Sequence, residues 1–330
     1  MPRLQAAFRA LIVLALGFAL VDSAAGRAVG DLVAQALAIP SGPILHLLGL
    51  DVLRNGVELR STEGWAIRVS EVCDGLGLVV TLAALMAAQA PGWRLGLRRL
   101  AIGVAAIQGF NLLRIVALAL ALHHAPGAFD GLHLVLFPYL TIVLIGVLVL
   151  RPARVVQVAA LALPLILLWL WQADPLSALL VPPANLILSA LAPAEVTSIA
   201  ATGAGWSVGS LFLASEDPVA LFRAPIRPAD FALALPVLAA AALRSGHVAG
   251  LVAAPALMVA ALALGAVTAV WGLASGPMVV LSPDGTGAFL PMPYARSETA
   301  VALVGLMQNV LVHFTLLVLP LLMLHRPRHD

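Results

Sequence analysis

Residues 100–122 read LAIGVAAIQGFNLLRIVALALAL, a membrane-length apolar run in which Arg114 is the only charge. About 20 apolar residues cross a bilayer as a helix. A guanidinium centred in hydrocarbon costs roughly 2.5–3.5 kcal/mol even on the lenient insertion scale. A chain that keeps such a charge turns it toward a polar interior where it has a partner. Asn111 and Gln108 precede Arg114 at helical spacing, so one face of this helix carries a polar stripe. Cys73, the chain's only cysteine, begins the preceding apolar span, and His133 begins the following one. A thiol, a guanidinium and an imidazole on three different helices read as a site rather than as scaffold.

The rest of the chain agrees with a membrane setting. Of its 330 residues 62% are hydrophobic and 10% charged, the balance of a polytopic membrane protein. The formal charge of +2 gives no reason to expect nucleic acid. Every basic residue is Arg, which excludes a Lys Schiff base or Lys general base, and one cysteine excludes an internal disulfide.

Apolar runs predict about eight transmembrane helices, at 8–21, 74–90, 99–122, 133–150, 155–171, 229–243, 248–273 and 299–324. Arg3 and Arg9, the cluster Arg94, Arg98 and Arg99, the pair Arg151 and Arg154, Arg244, and Arg326 with Arg328 all fall on one side. The positive-inside rule assigns that side, and both termini, to the cytoplasm. A basic start, a short apolar core and Ser23-Ala24-Ala25 also fit a cleavable signal peptide, a reading that leaves the downstream topology unchanged.

Two long segments, 22–72 and 172–228, fall outside and resemble each other. Ile39-Pro40-Ser41-Gly42-Pro43-Ile44-Leu45 parallels Val181-Pro182-Pro183-Ala184-Asn185-Leu186-Ile187, and Gly64-Trp65 recurs as Gly205-Trp206. The expected fold is therefore an all-α polytopic membrane protein of two parallel four-span repeats. Residues 1–154 form the chemically equipped half. Residues 155–330 form a second, degenerate repeat, in which Ala214 falls opposite Cys73 and the seventh span has no Arg. Coincidence in an Ala/Leu-rich sequence is the competing explanation. Asn55-Gly56, flanked by alternating residues, predicts a small extracytoplasmic hairpin leading into Cys73. Residues 32–50 and 176–192, interrupted by Pro, read as interfacial or re-entrant helices.

Cys73-Asp74-Gly75 lies at the entry to the second span, where Asp74 can cap the helix and the helix dipole favours a thiolate. The Asp74 carboxylate opposes that thiolate, and Arg114 offsets it. A lone membrane cysteine also serves as a small packing residue, and a His at a helix start as an interfacial one. Arg114 is too far from its helix end to snorkel fully. Asp130 with His123, His124 and His133 lacks any metal-ligand spacing, so no metal and no cofactor are expected. Arg counting alone brings Cys73 and His133 to one face of the membrane and Arg114 to its outer half.

Val72-Cys73-Asp74-Gly75-Leu76, Asn111-Leu112-Leu113-Arg114-Ile115 and Phe129-Asp130-Gly131-Leu132-His133 together resemble the exosortase/archaeosortase family over about residues 1–154. The family more commonly carries Ser where this chain has Asp74. The resemblance implies a multi-pass cell (inner) membrane cysteine protease/transpeptidase with its active site on the extracytoplasmic side. Cys73 is then the nucleophile, His133 the general base and acid, and Arg114 the stabiliser of thiolate or oxyanion, with Asn111 a weaker candidate for orienting Arg114 or substrate. The implied partners are membrane lipid and secreted proteins whose C-terminal sorting signal joins a short motif, a transmembrane helix and a basic tail. The alternative is a transporter or channel of parallel repeats in which Arg114 binds an anion and Cys73 is a spectator. A non-catalytic assembly partner is a third reading.

Overall fold

The computed structural model describes residues 2–69, 74–89, 92–150, 152–171, 173–191, 196–202, 205–210, 224–226, 229–246, 256–257, 259–260, 263–264, 278–281, 287–290 and 298–324. The N-terminal apolar run folds as α1 (Pro2–Val21), and Ser23 starts α2 (Ala24–Leu47) by accepting a hydrogen bond from the Gly26 amide at 3.1 Å. Here the structure departs from the sequence reading of 32–50. α2 runs unbroken through Pro40 and Pro43, with the Ser41 hydroxyl donating to the Leu37 carbonyl at 2.7 Å.

Next comes a three-stranded antiparallel meander, β1 (Val52–Asn55), β2 (Glu58–Ser61) and β3 (Ala66–Arg68), in the order β1-β2-β3. Asn55 pairs with Glu58, so Gly56 and Val57 occupy the turn, one residue later than the Asn55-Gly56 signal suggests. Gly56 takes φ +60°, a conformation open to glycine at no steric cost.

α3 (Leu76–Gln89) and α4 (Trp93–His124) follow. A 3-10 turn (Pro126–Ala128), one α-turn (α5, Phe129–Gly131) and a π-helical turn (Leu132–Leu136) then lead into α6 (Phe137–Val149). The second half contributes α7 (Pro152–Trp171), α8 (Ala173–Leu191), a second antiparallel sheet of β4 (Val196–Thr202), β5 (Gly205–Ser210) and β6 (Ala224–Ile226), then α9 (Ala229–Ser245). β7 (Met278–Leu281) pairs with β8 (Gly287–Leu290), and α10 (Glu298–His313) passes through a π-helical turn (Phe314–Val318) into α11 (Leu319–Leu324). The expected span at 248–273 lies outside the described residues, apart from isolated positions.

The described chain is mostly helical. Among the described residues, four helices are long and apolar enough to cross a membrane: Leu4–Val21, Ala24–Leu47, Trp93–His124 and Pro126–Val149. The strands exceed the one small hairpin read from the sequence. β4–β6 lie in Ala-rich surroundings that blur a period-2 pattern.

Packing divides into a bundle and a cap. In the bundle, Ala10, Leu14 and Phe18 of α1 meet Leu82 and Leu85 of α3, Ile107 of α4, Ile145 of α6, and Phe314, Val318 and Leu321 from the C-terminal segment. First and last helices thus share one core. Phe18 also meets the ring of His313, centroids 4.6 Å apart. In the cap, Ala34, Leu37, Ala38 and Leu45 of α2 bury Leu50, Val52, Leu59 and Val69 against Ile115, Val116 and Ala119 of α4. α4 serves both, because its 32 residues make it about 48 Å long. The turn between β2 and β3 is tied to the end of α4 by Glu63, whose Oε2 lies 2.7 Å from His123 Nδ1.

Leu14 is fully buried in the bundle core, whereas Leu16, two residues on, is 68% exposed. Leu14→Ala should cost about 2–5 kcal/mol of stability, and Leu16→Ala no more than about 0.5 kcal/mol. Thermal unfolding of the purified full chain in detergent checks the contrast, and equal midpoints would contradict this core.

Candidate active site

The overlap of bundle and cap on α4 creates the site. Ile107 belongs to the bundle core and Ile115 to the cap core, so Gln108, Asn111 and Arg114 occupy the stretch where the two meet. Asn111 is buried, at 2% exposure. Gln108 Nε2 donates to the Asp74 carbonyl at 2.9 Å, and Asn111 Nδ2 approaches Gln108 Oε1 at 3.4 Å. The polar stripe read from the sequence therefore grips the entry to α3.

Asp74 is itself 3% exposed, and its Oδ1 accepts from the Leu76 amide at 2.7 Å, capping the first turn of α3. A Cβ on Gly30 of α2 would lie 2.8 Å from Asp74 Oδ2, so the cap presses on this carboxylate too. Gly75 has φ +76°, and a Cβ there would collide with Asn111 Nδ2. Its glycine is thus required twice, by backbone conformation and by the close approach of α4. Cys73, which precedes this anchored pair, lies outside the described residues.

His133 reaches the same place from the next helix. It falls within the π-helical turn, whose wider winding re-aims side chains relative to a regular helix. Its ring stacks on Phe129, with centroids 5.4 Å apart and an interplanar angle of 15°. Arg114 Nη2 lies 3.2 Å from His133 Nδ1. A guanidinium can only donate, so in this contact Nδ1 accepts and the neutral imidazole carries its proton on Nε2. Arg114 Nε is buried and has no hydrogen-bond partner among the described residues. A donor in that condition is costly unless an acceptor arrives.

Arg114 and His133 open on a cavity of about 330 Å³, lined also by Asn111, Phe129 and the strand residues Ala66, Ile67, Arg68 and Val69. The sequence reading brought Arg114, His133 and Asn111 toward one place. It missed Phe129 and β3, although Phe129 stands in the same Phe-Asp-Gly-Leu-His stretch, at helical spacing from His133. No group of three or more His, Cys, Asp or Glu among the described residues is placed to hold a metal ion.

Residues 1–150 match the family described as transmembrane exosortase. This agrees with the resemblance carried by the three short motifs over about residues 1–154. Together with the apolar helices it makes the chain an integral membrane protein. Neither the curated proteins nor the solved structures gave a match to this chain.

Gly75→Ala should force a positive φ on a residue with a Cβ and drive that Cβ into Asn111. A loss of at least about 1–3 kcal/mol follows from the backbone alone. Adding Asn111→Ala should relieve the collision but not the backbone strain, so recovery is partial. Unfolding of the single and double variants tests this; a Gly75→Ala protein as stable as wild type would refute the packing described here.

Proposed function

We propose that this chain is an integral-membrane cysteine protease/transpeptidase that cleaves the C-terminal sorting signal of secreted proteins at the outer face of the cell (inner) membrane. The carrying observation is the 3.2 Å contact between Arg114 and His133, two residues of the expected catalytic set supplied by different helices. The match of residues 1–150 to the transmembrane exosortases supports the same reaction class.

The depth of the site fits this reading. α4 is about 48 Å long, and a hydrocarbon core is about 30 Å thick. With Arg99 at the cytoplasmic boundary, Arg114 stands about 22 Å along the helix axis, in the outer half of the bilayer. The sheet and α2 then cap the outer end, and their packing on Ile115, Val116 and Ala119 encloses Arg114 in protein.

In the proposed reaction the Cys73 thiol gives its proton to His133, and the thiolate attacks the scissile carbonyl carbon. His133 Nδ1 is available as base once Arg114 turns from it to the developing oxyanion, which also supplies an acceptor for the guanidinium. Collapse of the tetrahedral intermediate breaks the C–N bond, and His133 returns the proton to the leaving amine. A thioester remains on Cys73 for the second nucleophile to resolve. Asn111 positions Gln108 and the α3 entry, and through them Cys73.

Residues 155–330 are proposed to bind or guide substrate rather than cut it. Element order supports the two-repeat proposal, because α7, α8, β4–β6 and α9 follow the sequence of α1, α2, β1–β3 and α3. The repeated Gly-Trp pair precedes the last strand of the first sheet but opens the middle strand of the second. The halves have therefore diverged around it.

Cys73→Ala and His133→Ala should abolish removal of C-terminal helices from secreted proteins, followed by mass spectrometry of membranes from cells carrying the full chain. Arg114→Ala should slow it by about 10²–10³-fold. A transporter that uses Arg114 for an anion would be indifferent to Cys73→Ala, so retained processing or transport in that variant sinks the cysteine mechanism. An impermeant thiol reagent added outside intact cells should label Cys73, and more slowly in Arg114→Ala, where the thiolate loses its cation. Unchanged labelling would remove Arg114 from that role.

A further inference from the structure

We propose that the peptide to be cut is held as an added β-strand along the open edge of β3. The proposal rests on the peptide-cleaving reading above and assigns the binding mode. Among the described residues β3 ends its sheet, pairing with β2 on one side. Val69 N donates to Val57 O at 3.0 Å and Ser61 N to Trp65 O at 2.9 Å, while Leu59 faces Ile67. These are the hydrogen-bonded pairs of the antiparallel ladder, so the N–H and C=O groups of the alternate residues, Ala66 and Arg68, point off the free edge.

That edge opens on the site. The cavity holding Arg114 and His133 is lined by Ala66, Ile67, Arg68 and Val69, four consecutive residues. A cavity lying over one face of a strand meets every second residue, whereas one running along its edge meets each in turn. β3 therefore offers two donors and two acceptors along one wall, with the guanidinium and imidazole on the other. An exposed edge of this kind is a hazard that proteins cover or blunt, and an extended peptide covers it by strand addition. The ligand class is an unfolded, extended stretch of chain, gripped through its backbone, in register with the groups that cut it. A helical segment lacks the free backbone groups to bind here, which restricts attack to the part of the substrate beyond its membrane helix.

Proline tests this without disturbing the ladder, because an outward-facing N–H at an edge is the position where a sheet tolerates it. Ala66→Pro and Arg68→Pro should each reduce processing at least about tenfold. Arg54→Pro is the matched control. Leu53 faces Arg60, Asn55 faces Glu58 and Thr62 N donates to Asp51 O at 3.3 Å, so the Arg54 N–H leaves the sheet by the opposite edge. It should process at the wild-type rate. Processing that depends on Cys73 but is unimpaired in Ala66→Pro overturns the strand proposal alone. Processing that survives Cys73→Ala overturns the cysteine reading instead. If a proline variant misfolds, judged by lost thiol labelling, hydrogen exchange on the full-length Cys73→Ala protein decides. The amides of residues 66–68 should slow when the C-terminal peptide of a processed protein is added, and unchanged exchange overturns the proposal.

Discussion

A hydrogen bond between distant segments helps hold the site in register: Gln108 Nε2 to the carbonyl of Asp74. It ties the entry to α3 to the face of α4 that carries Asn111 and Arg114. The contact is part-buried, where a carbonyl that loses its partner is costly. It also works because Gly75 lets the two backbones approach. Asp74, capping α3 with its side chain while accepting with its backbone, belongs to both the helix and the knot. Substituting an ordinary residue at Gly75, or shortening Gln108, would loosen the entry to α3 while leaving the rest of the bundle standing.

The parts legible in the sequence were those written in charge and length. Arg distribution puts Arg114 and His133 near one face of the expected bundle, and the two residues do meet. What stayed hidden was local. Pro40 and Pro43 look like helix breaks, yet α2 continues through them because its buried face is pinned to the cap. The turn signal Asn55-Gly56 was right in kind and one residue early, since pairing across the sheet chose Gly56 and Val57. The β4–β6 strands lie among so many alanines that alternation is faint.

Bundle and cap divide the labour of stability and chemistry. The bundle core is aliphatic and aromatic, with Thr315 buried and His313 half-buried at its edge, and it fixes α3, α4 and α6 relative to one another. The cap is small and relies on Ile115, Val116 and Ala119 of α4 to close its core. A cap of that kind can shift without melting the bundle. The strand bordering the cavity belongs to the cap, whereas Arg114 and His133 belong to long helices. In the proposed reaction, recognition would fall on the more yielding layer and proton transfer on the stiffer one.

The shared core of the first and last helices also sets a clock. Ala10, Leu14 and Phe18 are made about 300 residues before Phe314, Val318 and Leu321, which complete their packing. At ribosomal speeds of about 5–20 residues per second, that wait is on the order of 15–60 s. During it α1 and α3 sit in the bilayer with one flank open, and the helix that Asp74 starts lacks its final support. A nascent chain consequently holds an incomplete bundle core until the segment carrying Phe314, Val318 and Leu321 has been made.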